Sequence, residues 1–321
     1  MNAVSFNHVT VLLHETVDQL NVRPAGTYVD CTAGGGGHCK VILNSLSDSG
    51  RLIAFDRDPN AIKHLENIFA DEVRQNKLVI VNKPFSELRP SLENLGIFKV
   101  DGICADIGVS SPQIDQANRG FSFMKDGPLD MRMDQTSDQP SAEYIVNNAS
   151  KHELIEIFKN LGEEPKARFI VDAICTVREQ KKIETTLELA EIVKSSVFYQ
   201  KKSKKHPATK VFQALRIKVN DELGQLEALL KDAVDLLSPT GRLAIITFHS
   251  LEDRLVKHTM QEYAGKVRQK YVPKQIQQLT PETDDHKTVK VIKPFPIIPS
   301  KIESDNNPRA RSAKLRVCEK I

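Results

Sequence analysis

The sequence predicts an α/β protein, a parallel sheet covered on both faces and interrupted by a helical module of roughly a hundred residues. Three observations carry this expectation. Strand-like and helix-like segments alternate through the first third of the chain. Four consecutive glycines, Gly34–Gly37, follow the first strand directly. From Ser141 to about Phe198 an apolar period of 3.6 residues takes over, and the strand pattern returns only at Arg242.

The elements read as follows. Strands are expected at 27–31 (T-Y-V-D-C), 51–55 (R-L-I-A-F), 78–82 (L-V-I-V-N) and 100–107 (V-D-G-I-C-A-D-I). Helices are expected at 39–46, 59–73 and 85–95, and Pro59 suits a first helical turn. Such alternation implies right-handed crossovers and a parallel sheet. Residues 119–140 are polar and turn-rich, with too little periodicity for a regular element. Ser150 with Glu153, and Thr185 with Glu188, have capping-box spacing. Pro165 opens a helix whose apolar positions are Phe169, Ile170, Ala173, Ile174 and Val177. A helix over 221–237 then leads through Ser238-Pro239-Thr240-Gly241 to a strand at 242–248 (R-L-A-I-I-T-F). Two β-like patches follow, at 290–295 and 313–319. The resulting division is a sheet domain in two parts, 1–113 and 211–321, with a helical insertion at 114–210.

Composition narrows the class. Among 321 residues, 40% are hydrophobic and 27% charged, as in an ordinary globular domain. No basic region followed by an apolar run opens the chain, and no segment approaches the roughly 20 apolar residues that span a bilayer. Membrane partners are therefore not expected. The 5 cysteines are scattered without a C-x-x-C pair, which argues against a zinc site or disulfide framework and for a reducing cytoplasm. Net charge is only +3, yet residues 266–321 hold 13 Lys/Arg against 6 Asp/Glu, and Lys201, Lys202, Lys204 and Lys205 form a second basic run. Taken alone the run reads as a solvated loop; two basic regions beside a nucleotide fold favour a nucleic-acid substrate.

Glycines after a parallel strand let a ligand approach the backbone, and strand ends of this kind are where α/β proteins hold nucleotides. Asp56 ends the second strand nineteen residues after Gly37, close to the spacing of a ribose-binding carboxylate. A dinucleotide fingerprint would need a third glycine or alanine where Cys39 or Lys40 stands, so the dehydrogenase reading fits poorly. Asp30, just before the loop, is awkward beside a pyrophosphate but suits a ligand with an ammonium or sulfonium charge. S-adenosyl-L-methionine is such a ligand.

The fourth strand ends at Asp106, followed by Ile107, Gly108 and Val109. In a methyltransferase sheet this tip lies beside the activated methyl group. An exocyclic amine of cytosine or adenine is a weak nucleophile, and acceptors that bond its hydrogens stabilise the charge built up during attack. Asp106 can supply one, although a strand-end Asp is also a common turn residue. The segment at 248–254 (F-H-S-L-E-D-R) mixes His249 with a serine and acids but has no strained nucleophile elbow. An acid-rich helix start explains most of it.

These stretches resemble the ribosomal RNA small-subunit methyltransferase H family, also called the MraW family. The matching segments are D-C-T-A-G-G-G-G-H at 30–38, F-D-R-D-P at 55–59, D-I-G-V-S-S-P-Q at 106–113 and R-G-F-S-F at 119–123. They continue with D-G-P-L-D-M-R-M at 126–133, H-P-A-T-K-V-F-Q-A-L-R-I at 206–217, F-H-S-L-E-D-R at 248–254 and N-P-R-A-R-S-A-K-L-R at 307–316. The resemblance implies a Rossmann-like class I S-adenosylmethionine-dependent methyltransferase sheet with an inserted helical domain for substrate recognition. It also implies transfer to the N4 amine of a cytidine in the decoding region of small-subunit (16S) ribosomal RNA, free or in the assembled subunit. No metal is implied, and a monomer or a homodimer fits. Carried over by motif, the cofactor contacts fall on Gly36, Gly37, His38, Asp56, Phe85, Asp106 and Gln113. Cys39 stands where a serine is usual, and Thr10 replaces a common proline. Since Ile107-Gly108-Val109 is not Pro-Pro-aromatic, Phe121 and Phe123 are the candidates for stacking on a base. A DNA cytosine methyltransferase and a non-catalytic RNA-binding assembly factor are the competing readings; the missing Pro-Pro-aromatic counts against the first, the intact loop with Asp56 and Asp106 against the second.

Overall fold

The computed structural model describes residues 10–197, 206–266 and 287–321. These form two compact units: Val109–Leu223, and the described residues up to Gly108 together with those from Gly224 onward. The second unit holds a seven-stranded sheet: β1 (Thr27–Asp30), β2 (Arg51–Asp56), β3 (Leu78–Asn82), β4 (Val100–Asp106), β5 (Leu237–Thr247), β6 (Val289–Val291) and β7 (Lys314–Lys320). Their order is β3-β2-β1-β4-β5-β7-β6. Pairing is parallel from β3 to β5, while β7 runs antiparallel to both β5 and β6. The chain starts in the middle, winds outward one way, then returns past β1 to build the other half. The β1/β4 boundary is thus the point where strand order reverses, the usual ligand position in such sheets.

Both faces of the sheet are buried, which is why its strands read as nearly continuous apolar runs. Val29, Ile53, Ile103 and Ile245 point to one side, against Leu88, Leu92, Leu229, Val256 and Met260. Their chain neighbours Tyr28, Leu52, Cys104 and Ile246 point to the other, against Leu20, Ile42, Leu43, Leu65 and Phe69. Each side closes its own core through the period-2 alternation of a strand.

Two expectations about this unit need adjusting. The helix expected at 59–73 breaks at Phe69 into Pro59–Ile68 and Ala70–Arg74, because Phe69 leaves helical geometry (φ −117, ψ 30) to bury its ring. The turn expected at Ser238–Gly241 does not separate helix from strand. Leu237 already pairs with Val100, and the next pairing is Arg242 with Gly102, so the four residues are carried as a bulge inside β5, with Thr240 at positive φ.

The helical unit contains Ala142–Asn148, Lys151–Glu156 continuing as a π turn over Ile157–Leu161, Ala167–Arg178, Thr186–Ser196 and Ala208–Asn220. The last of these extends the unit beyond residue 210, since Val211, Phe212 and Leu215 are buried in the same core as Leu154, Phe158, Ile170 and Leu189. Gly162 permits that helix to come close, for a Cβ there would stand 2.7 Å from the Lys210 carbonyl. Thr185 and Glu188 form both limbs of their capping box, whereas Ser150 makes only the forward limb, to the Glu153 N–H. Phe169 departs from its expected core position and is 68% exposed. The buried stripe runs through Ala167, Ile170, Val171 and Ile174, and Phe169 lies one step outside it. No helix among the described residues is long and apolar enough to cross a membrane. The basic run Lys201–Lys205 and the stretch 267–286 lie outside the described residues.

Candidate active site at the strand tips

Three parallel strands end in carboxylates: β1 in Asp30, β2 in Asp56 and β4 in Asp106. The glycine loop leaves β1 and is anchored on β2. Ala33 N–H donates to the Phe55 carbonyl at 2.9 Å, and Gly34 N–H donates to Asp56 Oδ2 at 2.8 Å. The other oxygen, Asp56 Oδ1, accepts the Asp58 N–H at 2.9 Å, and Asp58 in turn caps the helix opened by Pro59. Gly36 takes φ +80 as the residue that starts the next helix, Gly37–Ser45. A Cβ on Gly36 would come within 2.8 Å of the Phe69 ring, so glycine is required there by both conformation and space.

The site is electrostatically loaded. Burial raises the Asp56 carboxyl to about 6 against the opposing bonds from Asp58 and Gly34, with Asp58 and Asp30 adding repulsion. Asp106 is pushed well above the usual carboxylate range by burial, then by Asp30 and by Glu252. The residue as a whole keeps some exposed surface, but its Oδ1 is buried and has no hydrogen-bond partner among the described residues. A buried acceptor left unsatisfied is costly, and five acids influencing one another ask for a cation or a donor. His38 is buried and held below its usual value by that burial, which outweighs Asp30 and the ring's bond to the Val11 carbonyl. Its imidazole is therefore neutral, and Nε2 is a second buried atom without a partner. Burial raises the thiols of Cys31, Cys39 and Cys104, assisted by Asp30, so all three are protonated and unreactive.

Phe85 starts a 3-10 turn three residues past the end of β3 and is half-buried against the core. Gly36, Gly37, His38, Asp56, Phe85 and Asp106 thus all belong to the carboxyl-end edge of the sheet unit. Gln113 belongs to the helical unit, where it is buried and accepts the Ser110 N–H at 3.0 Å. Phe121 and Phe123 also lie in that unit. Phe123 is engaged there, with ring centroids 4.8 Å from His206 and 4.9 Å from Phe212, and Arg119 stands over the Phe121 ring at 5.9 Å.

The segment at 248–254 is built as a helix start. His249 caps Ser250–Tyr263, and Glu252 returns the bond, accepting the Phe248 and His249 N–H groups at 2.9 and 3.2 Å. Asp253 accepts from Arg316 Nε at 2.8 Å and Lys314 Nζ at 3.0 Å, which ties the helix to β7. Burial pushes this carboxyl up, but the two cations outweigh it and hold it below the usual range. Sequence reasoning singled out neither Glu252 as a neighbour of Asp106 nor Thr32, whose Oγ1 accepts the Asp106 N–H at 2.6 Å. The only local signal was the Asp30-x-Thr32 spacing of an Asx turn, formed here by the Thr32 N–H and Asp30 Oδ1 at 3.0 Å.

Solved structures with similar overall outlines are distant. A Clostridium thermocellum protein described provisionally as an rRNA-methylase is 11% identical, with 98% of this chain and 99% of that one covered and a TM-score of 0.44. TrmN from Thermus thermophilus is 11% identical over 97% of this chain and 48% of its own, with a TM-score of 0.42. Precorrin-6y C5,15-methyltransferase from Geobacter metallireducens GS-15 is 9% identical over 99% and 94%, also with a TM-score of 0.42. Likenesses of this size carry no argument about function. The family comparison does, since the profile of the MraW methylase family matches residues 5–321. On that match, together with a glycine loop set among strand-end acids, the chain belongs to the MraW methylase family.

Proposed function

We propose that this methylase transfers a methyl group from S-adenosyl-L-methionine to the exocyclic N4 amine of a cytidine in the decoding region of small-subunit (16S) ribosomal RNA. The observation that carries the reading is the Asp106 carboxyl, whose buried Oδ1 lacks a partner at the tip of β4, beside the point where strand order reverses. A sulfonium ligand suits strand tips that end in Asp56 and Asp106 with Asp30 behind the loop, because its positive charge offsets the repulsion among these acids. Asp56 has lone pairs left for ribose hydroxyls after accepting one N–H on each oxygen. Gly36 and Gly37 allow close approach, and His38 and Phe85 line the same edge. Gln113, which the family resemblance adds to the cofactor set, belongs to the helical unit.

When bound, S-adenosyl-L-methionine supplies an electrophilic methyl carbon. Asp106 accepts a hydrogen from the target amine, so its negative charge grows in value as the nitrogen becomes positive. That role needs the ionised carboxyl, and a neighbouring cationic ligand lowers the cost of ionising it. The helical unit, residues 114–210 in the sequence division, serves substrate recognition in this reading.

Tritiated-methyl transfer into small ribosomal subunits and into protein-free ribosomal RNA, followed by nucleoside analysis, tests the proposal. N4-methylcytidine is the expected product. Label in another nucleoside, or transfer to a DNA duplex alone, rejects it.

A further inference from the structure

The tip of β4 is tied to the glycine loop by a chain of side-chain bonds. Asp106 N–H donates to Thr32 Oγ1 at 2.6 Å, Thr32 N–H donates to Asp30 Oδ1 at 3.0 Å, and Cys39 Sγ donates to Asp30 Oδ2 at 3.2 Å. Just below, the backbone ladder between the same two strands ends with Cys31 N–H donating to the Cys104 carbonyl at 2.8 Å. One residue later the chain turns away into the loop, with Gly34 at φ +50. The Thr32 hydroxyl takes the N–H that a continued ladder would have bonded to a carbonyl. Asp30, only 1% exposed, is held from two sides and acts from behind the loop.

We propose that Thr32 is a positioning residue for methyl transfer: its hydroxyl holds the backbone at Asp106, and Asp30 with Cys39 fixes Thr32. The inference rests on the reading that the Asp106 carboxyl meets the target amine. Among the described residues Asp106 Oδ1 has no partner of its own, so the carboxyl is placed through the backbone that carries it. The backbone bond to Thr32 Oγ1 at 2.6 Å restrains Asp106 from outside the strand ladder. A reacting group displaced by about 1 Å loses on the order of 100-fold in rate. Thr32→Val keeps the shape and removes the hydroxyl, whereas Thr32→Ser keeps the hydroxyl.

The full-length protein, saturating S-adenosyl-L-methionine and small ribosomal subunits are used for single-turnover transfer. Thr32→Val is expected to lower the rate by about 10- to 100-fold, with calorimetric cofactor affinity changed less, and Thr32→Ser to stay within about 3-fold of the parent. A parent-like rate for Thr32→Val, or equal losses for Val and Ser, overturns the proposal. Should Thr32→Val fail to fold, Cys39→Ala cuts the same chain at its far end and is expected to slow transfer by roughly 3- to 10-fold; no slowing overturns it. A second readout needs no RNA. The carboxyl carbon resonance of Asp106, followed against pH, should move its midpoint toward the ordinary range in Thr32→Val as the loosened tip admits water, and an unmoved midpoint overturns the positioning role. If the parent methylates neither particle nor RNA, the substrate reading fails, and this titration alone decides the role of Thr32.

Discussion

Two irregular, glycine-bearing segments of this protein are held in opposite ways. The loop at 30–38 hangs between strand tips by bonds to carboxylates, in a setting that drives Asp56 and Asp106 upward and leaves Asp106 Oδ1 and His38 Nε2 buried without partners among the described residues. The segment at 119–133 in the helical unit is held by amide groups. Asn220, fully buried, accepts the Met133 N–H at 2.9 Å and donates to the Met131 carbonyl at 2.8 Å, while Arg119 Nη2 donates to the Met133 carbonyl at 2.6 Å. The Asn220 amide satisfies the Met133 N–H and the Met131 carbonyl at little electrostatic cost. The loop's arrangement stores a good deal, which a bound donor or cation would release. Strain of this kind marks a site; a satisfied network marks a scaffold.

The largest effect should come from the strained side. Asp106→Asn preserves shape and removes charge, so single-turnover transfer from a preformed RNA complex at saturating cofactor should fall by roughly 10²–10³-fold. A near-parental rate would leave Asp106 as a binding residue only. Next is Asp56→Ala, expected to weaken cofactor binding by about 1.5–3 kcal/mol, or roughly 10- to 150-fold, in calorimetry. Cofactor affinity of the parent should also decline as pH drops through about 6, where Asp56 takes up a proton and loses an acceptor. The sign is reversed for stability without cofactor. Because burial raises this acid above its usual 3.8, its contribution is full below that value and is lost as pH rises through about 6. Asp56→Asn should therefore flatten the acid side of the apoprotein's melting profile.

On the scaffold side, Asn220→Ala leaves the Met133 N–H and Met131 carbonyl without their partner. It should cost about 2 kcal/mol in urea unfolding of the helical unit while cofactor affinity stays at the parental value. A cofactor defect in this variant would break the contrast between the two segments. Smallest is Thr185→Ala, which removes one limb of the capping box and should cost about 1 kcal/mol, again without touching cofactor binding.

Much of this was legible one residue at a time. Alternating apolar runs gave the seven strands and their flanking helices, because a strand buried on both faces or a helix buried on one leaves a period readable over ten residues. Turn chemistry placed the glycine loop, the Asp58-Pro59 helix start and the Thr185 box from contacts within four residues. Asp30, Asp56 and Asp106 stood out as strand ends for the same local reason. Failures came where the deciding partner is far away along the chain. Phe169 has an apolar neighbourhood in sequence, but the stripe that packs is set by the helices around it. Phe123 is a candidate for stacking on a base by sequence, and its ring meets His206 and Phe212.

Local pattern by itself thus determined the parallel strands β1 to β5, their ends and the acids they carry, since period and turn geometry depend on near neighbours, but not the antiparallel addition of β7 and β6. Only the tertiary structure decided that β1 lies between β2 and β4, and with it which acids share one edge. The Thr32–Asp106 bond joins residues 74 positions apart, and the Asp56–Gly34 bond residues 22 apart. Alternation of strands and helices is compatible with many strand orders, so no spacing in the chain specifies such pairs. Burial then raised Asp56 and Asp106, because desolvation belongs to the packed environment and not to the residue type.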